Sequence, residues 1–209
     1  MTPAELYSRI YAAETERGIG YGDGEISKAR TDIFLQAVKD HVPPGSSTLE
    51  IGTGRGRLLR LMLDAGYAAT GIEIATSLFE KDLVGLNVIN LPAQELRIFA
   101  DASFDCTLSN DCLEHLPTED AVVQAVDDMV RISKKWIVIS VGAFASSFKV
   151  TDKTLNVELH SVLHDWQWWD KFFGERMTIV RKFMLAGSFL AVGRKGSEEN
   201  SKEPMRWQF

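Results

Sequence analysis

The chain first spaces its apolar residues as helices do. From Ser47 it breaks into short apolar runs separated by amphipathic ones. Leu6, Ile10 and Ala13 stand at i, i+4 and i+7, which predicts an amphipathic helix over residues 3–16. The glycine-dense stretch 18–24 predicts a loop, either a linker or a lid over a pocket with Tyr21 as its contact residue. A second helix starts near Ser27, puts Ile33, Phe34, Ala37 and Val38 on one face, and stops at Pro43-Pro44-Gly45. Beyond Ser47, strands are predicted at 48–51, 69–74, 86–90, 104–109 and 136–141. Helices are predicted at 57–65, closed by Gly66, and at 76–83. Thr118 is a good N-cap for a further helix, with Glu119 and Asp120 in its first turn and Val122, Val126, Met129 and Val130 on its apolar face. The wholly apolar run 136–141 suits the buried centre of a parallel sheet.

After Gly142 the pattern becomes a loop over 143–158, then an aromatic helix at 165–173. Two strand-like runs follow, 177–185 and 189–194, joined by Ala186-Gly187-Ser188. So short a joint permits only an antiparallel hairpin. The alternation predicts a three-layer α/β domain with a seven-stranded, mostly parallel sheet ending in that hairpin. The expected organisation is one domain over residues 1–195, with 1–46 as a helical cap and 47–195 as the core. Residues 196–209 form a polar tail, expected to be flexible despite Trp207 and Phe209.

Composition narrows the function classes more than the fold. With 209 residues, 45% hydrophobic and 25% charged, the chain is ordinary for a globular protein. Its 23 basic against 29 acidic residues give a net charge of −6, which disfavours a nucleic-acid partner. No run approaches the ~20 apolar residues of a membrane span. Glu5, Arg9, Glu14, Glu16 and Arg17 leave no apolar core for a signal peptide, so a cytoplasmic location is expected and no membrane partner. Cys106 and Cys112 flank one predicted strand and would lie ~20 Å apart along it, too far to bridge.

The candidate chemistry begins at Leu49-Glu50-Ile51-Gly52-Thr53-Gly54-Arg55-Gly56, an apolar strand turning through glycines into a helix. Such a turn lets a ligand approach the backbone and offers it unpaired helix N–H groups. A dinucleotide site needs G-x-G-x-x-G, but the spacing here is G-x-G-x-G, and the bulky Arg57 stands where the third glycine belongs. Glu50 would repel a pyrophosphate and attract a cation.

Glu50-x-Gly52-x-Gly54-x-Gly56 resembles motif I of the class I S-adenosylmethionine-dependent methyltransferases, of the methyltransferase-domain-11 kind. Glu73, ending Thr70-Gly71-Ile72-Glu73-Ile74, resembles the acid that closes their second strand. Ala102-Ser103-Phe104-Asp105 and Asn110-Asp111-Cys112-Leu113-Glu114-His115-Leu116 resemble their fourth-strand segment. The resemblance covers residues 47–142 and implies a Rossmann-like methyltransferase fold with S-adenosyl-L-methionine as cofactor. It implies that Glu50 and the turn of Gly52, Thr53, Gly54 and Gly56 wrap the methionine and ribose. Glu73 would hold the ribose hydroxyls with Ile74 beside it, a task for a group that accepts two hydrogen bonds. Ala93 and Gln94 would face the adenine, Asn110 and Asp111 would line the methyl channel, and Tyr21 would close over the site. The chain departs from the family at Leu91-Pro92-Ala93-Gln94, where Pro92 replaces an Asp that accepts from the adenine amino group. Gln94 is the available substitute acceptor.

Methyl transfer is an in-line displacement, so positioning dominates, and a general base helps only when the acceptor is protonated. His115 and His160 are the candidate bases. Asp111, Glu114 and His115 share one face of a turn and, with His160 or His164, resemble the metal cluster of small-RNA 2′-O-methyltransferases and ubiquinone-pathway O-methyltransferases. The metal set considered is Asp111, Glu114, His115 and His164. The segment from His160 through Trp168-Trp169 to Phe173 is similar to an element of bacterial methyltransferases for glycans and small metabolites. The expected reaction is transfer to a small-metabolite or sugar-like acceptor, with oxygen as the atom methylated. A metal-dependent 2′-O- or catechol-type enzyme and a catalytically silent partner subunit are the alternatives.

Overall fold

The apolar run ending at Ile51 becomes the strand on which the sheet is centred. In this computed structural model, which describes residues 1–16, 25–143, 151–152, 157–196 and 206–208, β1 (Ser47–Ile51) lies between β2 (Ala68–Glu73) and β4 (Phe104–Asn110), parallel to both. Outside them, again parallel, lie β3 (Val88–Asn90) beside β2 and β5 (Ser133–Gly142) beside β4. The hairpin then closes the sheet. β9 (Ser188–Arg194) runs antiparallel to β5, and β8 (Thr178–Leu185) antiparallel to β9. The seven expected strands are all present.

An eighth strand comes from the segment expected as a flexible tail. Arg206–Gln208 (β10) pairs in parallel with β8, giving the order β10-β8-β9-β5-β4-β1-β2-β3. Without it β8 would leave a row of unpaired N–H and C=O groups at the edge of the sheet, a template that any nearby extended segment can fill. Thr151–Asp152 (β6) and Val157–Glu158 (β7) form a separate antiparallel pair within the stretch read as a loop. The glycine-dense residues 18–24, including Tyr21, lie outside the described residues.

Two helical layers cover the sheet, and the strands' period of two decides which side chain meets which layer. Leu49, Ile51, Ile137, Ile139 and Val141 join the cluster built with α4 (Glu119–Ile132) and α5 (Trp166–Gly174). Leu108 and Val138 face the other way, onto Phe34 and Val38 of α2 (Glu25–Lys39) and Leu59 and Met62 of α3 (Arg57–Asp64). A fully buried side chain of this kind contributes about 1.5–3 kcal/mol. Local signals set the helix starts. The Thr118 hydroxyl accepts from the Ala121 N–H at 3.2 Å, and the Asp165 carboxylate accepts from the Trp168 N–H at 2.9 Å.

The helix expected over 76–83 does not form. A single 3-10 turn, Thr76–Leu78, is followed by irregular turns. Thr and Ser are weak helix formers, and Asp82 at the far end is held by side chains of the glycine turn and α3. The Arg60 guanidinium binds the Asp82 carbonyl, the Arg55 guanidinium binds the Asp82 carboxylate, and the Leu83 N–H returns to the Leu78 carbonyl. Helix α1 (Pro3–Glu16) packs on this turn, where the Ser77 hydroxyl donates to the Ser8 carbonyl at 3.0 Å.

Strand order reverses between β1 and β4. Their carboxyl ends therefore open a crevice, the usual ligand site of open α/β sheets.

Candidate active site

The crevice floor is the glycine turn after β1. Gly52, Gly54 and Gly56 have φ of 76°, 52° and 77°, a region that side chains rarely enter. At Gly52 a Cβ would also lie 2.3 Å from the Cys112 sulfur, so the turn can close on the end of β4 only without a side chain there. The Gly52 and Thr53 N–H groups both donate to the Ile72 carbonyl, which docks the turn on β2.

Two acids stand beneath it. The Glu73 carboxylate accepts N–H donors from Gly54 at 2.7 Å, Ile74 at 2.9 Å and Ala75 at 2.8 Å. Burial raises its pKa above the ordinary glutamate value, opposed by those three donors. Glu50 is only 3% exposed, and its Oε2 has no hydrogen-bond partner. Burial, and secondarily the Glu73 charge, push it well above the usual carboxylate range. A buried carboxyl left without a partner is costly unless a ligand supplies one.

The crevice holds two cavities. The apolar one is lined on one side by Ile72 and Glu73 of β2, by Ile74 just past it, and by Leu91, Ala93 and Gln94 beyond β3. Leu116 and Pro117 form the far wall, and Pro3, Tyr7 and Tyr11 of α1 form the roof. Arg55 holds that roof down. It pairs with Asp82, donates to the Tyr11 carbonyl at 3.1 Å and lies 5.4 Å from the Tyr11 ring centroid.

The second cavity is polar. Glu50, Gly52, Thr53, Gly54, Asn110, Asp111, Glu114, His115, His160 and Arg30 are among its lining residues. Asp111 has φ 50°, fixed by its N–H donating to the Ser140 carbonyl at 3.0 Å. Its carboxylate accepts from Arg30 at 2.9 Å, and the Ser140 hydroxyl is shared between Asn110 and Asp111 at 2.8 and 3.1 Å. Glu114 is buried at 1% exposure. Its Oε1 accepts from the Gly142 N–H at 2.7 Å, while Oε2 has no partner. Burial, reinforced by Asp111, raises its pKa to about 8. His115 is held with Nδ1 2.9 Å from the Leu159 carbonyl, which requires Nδ1 to carry the proton and leaves the lone pair on Nε2 in the neutral ring. Its ring meets His160 edge-on at 4.7 Å. Burial lowers both imidazoles, His160 to about 4 with a further contribution from His115, so both are neutral at physiological pH.

Residues 49–138 match a family model described as a methyltransferase domain. This segment is thus similar to a methyltransferase domain. A probable tRNA methyltransferase 9B from Bos taurus is 32% identical over 108 residues, 49% of this chain; the match spans 21% of that relative's length. The fold resembles that of a Burkholderia thailandensis 1,6-didemethyltoxoflavin-N1-methyltransferase bound to its substrate and S-adenosylhomocysteine. The TM-score is 0.69 at 18% identity, over 94% of this chain and 92% of that one. The magnesium protoporphyrin IX methyltransferase of Synechocystis PCC 6803, with bound S-adenosylmethionine, gives 0.65 at 16%, over 94% and 98%.

The crevice's own side chains fit S-adenosylmethionine, the cofactor that the resemblance of Glu50 to Gly56 implies. The partnerless Glu50 oxygen suits an ammonium, the glycine turn leaves room for a thioether chain, and the Glu73 carboxylate has lone-pair capacity beyond its three N–H donors. Ile74, Leu91 and Ala93 give an apolar slot for a purine, with the Gln94 side chain at its rim and the Gln94 carbonyl pinned by Gln124 at 2.8 Å.

Most cofactor residues expected from sequence converge on these cavities. Gly56 does not. It starts α3, and a Cβ there would strike Leu86 at 2.7 Å, so it shapes the turn from behind. The metal set also needs correction. His164 Nε2 is 2.8 Å from Glu119, and its ring stacks on Trp168 at 3.7 Å, which turns it away from the crevice, while the Asp111 carboxylate is taken by Arg30. Among the described residues, the grouping that forms is Glu114, His115 and His160, with ligand atoms within 4.8 Å of one another. Sequence reasoning missed Tyr7 and Tyr11, although their i, i+4 spacing on the predicted first helix was a usable signal. It also missed Arg30, for which no local pattern gives a cue.

Proposed function

We propose that this chain is an S-adenosylmethionine-dependent methyltransferase acting on an oxygen of a small-molecule acceptor, of the small-metabolite or sugar-like kind, held in the polar cavity. The observation that carries the reading is the His115 tautomer. Its Nδ1 donates to the Leu159 carbonyl, which points the basic Nε2 away from that anchor in a ring that stays neutral and able to accept a proton. The bound cofactor supplies an electrophilic methyl on a sulfonium. The chain supplies position: Glu50 and the glycine turn hold the methionyl end, Glu73 the ribose, and Asn110 and Asp111 the wall where acceptor and methyl meet. His160 packs edge-on against His115 and fixes its ring plane. The net charge of −6 supports a small acceptor over an RNA.

The test is formation of S-adenosylhomocysteine by the purified chain against a panel of hydroxylated metabolites, matched amines and bulk tRNA. Turnover confined to hydroxyl acceptors, with a loss of ~100-fold or more in His115→Asn, supports the reading. Turnover on amines or tRNA alone would overturn it.

The Glu114, His115 and His160 grouping favours a second reading, a metal-dependent 2′-O- or catechol-type enzyme in which these three side chains are ligands. Chelator-sensitive turnover restored by Mg²⁺, Mn²⁺ or Zn²⁺ distinguishes it from proton acceptance by His115.

A further inference from the structure

His115 borders both halves of the crevice, since it lines the apolar cavity as well as the polar one. Two side chains meet its ring edge-on. One is His160, from the wall of the polar cavity, at 4.7 Å. The other is Tyr7, from the roof of the apolar cavity, whose ring stands at 90° to the imidazole with 5.8 Å between centroids. Tyr7 also reaches the group that sets the His115 tautomer. The Leu159 carbonyl lies 2.9 Å from His115 Nδ1 and accepts from the Tyr7 hydroxyl at 3.4 Å, so its two lone pairs serve two donors.

These contacts join elements far apart in the chain. Leu159 stands just before the Ser161 and Val162 N–H groups that donate to the Glu114 carbonyl, whereas Tyr7 belongs to α1. Pro3, Tyr7 and Tyr11 recur every fourth residue and put one face of that helix over the apolar cavity. The Ser77 hydroxyl and Arg55 fasten it there through the Ser8 and Tyr11 carbonyls. At 3.4 Å the Tyr7 bond is longer than the usual O–H···O distance of about 2.7–2.8 Å. It guides the Leu159 carbonyl weakly, and the ring contact carries the rest. A ligand in the apolar cavity meets the same Tyr7 ring that abuts His115.

We propose that Tyr7 is a positioning residue for His115, tying the seating of α1 over a bound cofactor to the orientation of the imidazole on the acceptor side. The inference rests on the reading of His115 as proton acceptor given above.

The experiment is long-range proton–nitrogen NMR of the full chain with isotope-labelled histidine, in the presence of a chelator and with S-adenosylhomocysteine as the probe. The two ring nitrogens report which of them carries the proton. Wild-type His115 should be mainly the Nδ1–H tautomer, with ring signals that move when S-adenosylhomocysteine binds. Tyr7→Ala should raise the minor Nε2–H tautomer about threefold or more, the ratio set by losing a weak hydrogen bond, and abolish that movement while calorimetry still detects binding. Tyr7→Phe, which keeps the ring contact without the hydroxyl, should fall between. An unaltered His115 tautomer in Tyr7→Ala would overturn the proposal and leave Tyr7 to roof the cofactor alone. Signals from His41 and His164 that change as much as those of His115 would overturn it in favour of a general structural role. Should Tyr7→Ala fail to fold, Tyr7→Phe decides alone, and an unaltered tautomer there overturns the proposal. The reading of His115 as base fails separately, whatever the spectra show, if His115→Asn forms S-adenosylhomocysteine on hydroxyl acceptors as fast as wild type.

Discussion

The Glu73 carboxylate accepts the Gly54 N–H at 2.7 Å, so the end of β2 and the turn after β1 behave as one piece. Replacing Glu73 with Ala leaves the Gly54, Ile74 and Ala75 N–H groups without that acceptor, at about 1–3 kcal/mol for each donor that stays buried and unmatched. The expected result is a lower melting temperature together with a fall of ~100-fold or more in S-adenosylhomocysteine affinity. Glu73→Gln keeps one carbonyl oxygen and should fall between. Paired thermal melts and calorimetry read both effects, and wild-type affinity in Glu73→Ala would remove Glu73 from the site.

Gly52→Ala meets two obstacles of different origin, a positive φ and the Cys112 sulfur at 2.3 Å. Overpacking of this kind costs about 1–3 kcal/mol, and the backbone adds roughly 1 more. Adding Cys112→Ala removes the sulfur contact and leaves the Cβ of residue 112 at 2.8 Å from the new methyl. Urea unfolding of the single and double variants should show partial recovery; full recovery would mean the φ at Gly52 carries no strain.

Arg55→Ala should free the roof. With Asp82, the Tyr11 carbonyl and the Tyr11 ring all released, hydrogen exchange in α1 is expected to rise while that in α3 and β1 stays put. Weaker S-adenosylhomocysteine binding should accompany it, since Tyr7 and Tyr11 line the apolar cavity. Unaltered exchange in α1 would show that the packing on Thr76–Leu78 suffices without Arg55.

Asp105 gives the clearest acid dependence. Hydrogen bonds from Lys134 first, then from the Ser47 hydroxyl and N–H, lower its pKa from 3.8 to about 2. A depressed carboxylate stabilises above its unfolded pKa and loses that contribution as pH falls through the folded one. The side chain is 38% exposed, so screening discounts the effect to about 1 kcal/mol. The stability gap between wild type and Asp105→Asn should therefore be full at pH 5 and shrink between pH 4 and 2. Denaturant midpoints across that range check it, and a constant gap would mean the charge is not the source.

The strands and the glycine turn were legible because their signals are local. Apolar runs, glycine spacing and single acids such as Glu50 and Glu73 follow one another within a few positions. The missed helix at 76–83 shows the converse, since Asp82 is held by Arg55 and Arg60, which are distant in sequence. His164 was equally opaque. Its spacing suits a ligand set, but stacking on Trp168 and pairing with Glu119 decide its direction, and both depend on how α5 meets α4. Arg30 belongs to the same class, a solvated-looking position on α2 that only the tertiary fold turns into the crevice.

Glu114 joins three separate parts of the chain. Its carboxylate holds the Gly142 N–H, and its backbone carbonyl receives the Ser161 and Val162 N–H groups at 2.9 and 3.1 Å. The wall carrying His160 is thereby suspended from the same short turn that succeeds β4, and the Tyr7 hydroxyl of α1 reaches its Leu159 carbonyl at 3.4 Å. In evolutionary terms this gives the acceptor half of the crevice an anchor of its own. Side chains on the suspended wall can be exchanged, and the range of acceptors redrawn, while Glu114 stays and the half that grips the cofactor is left as it was.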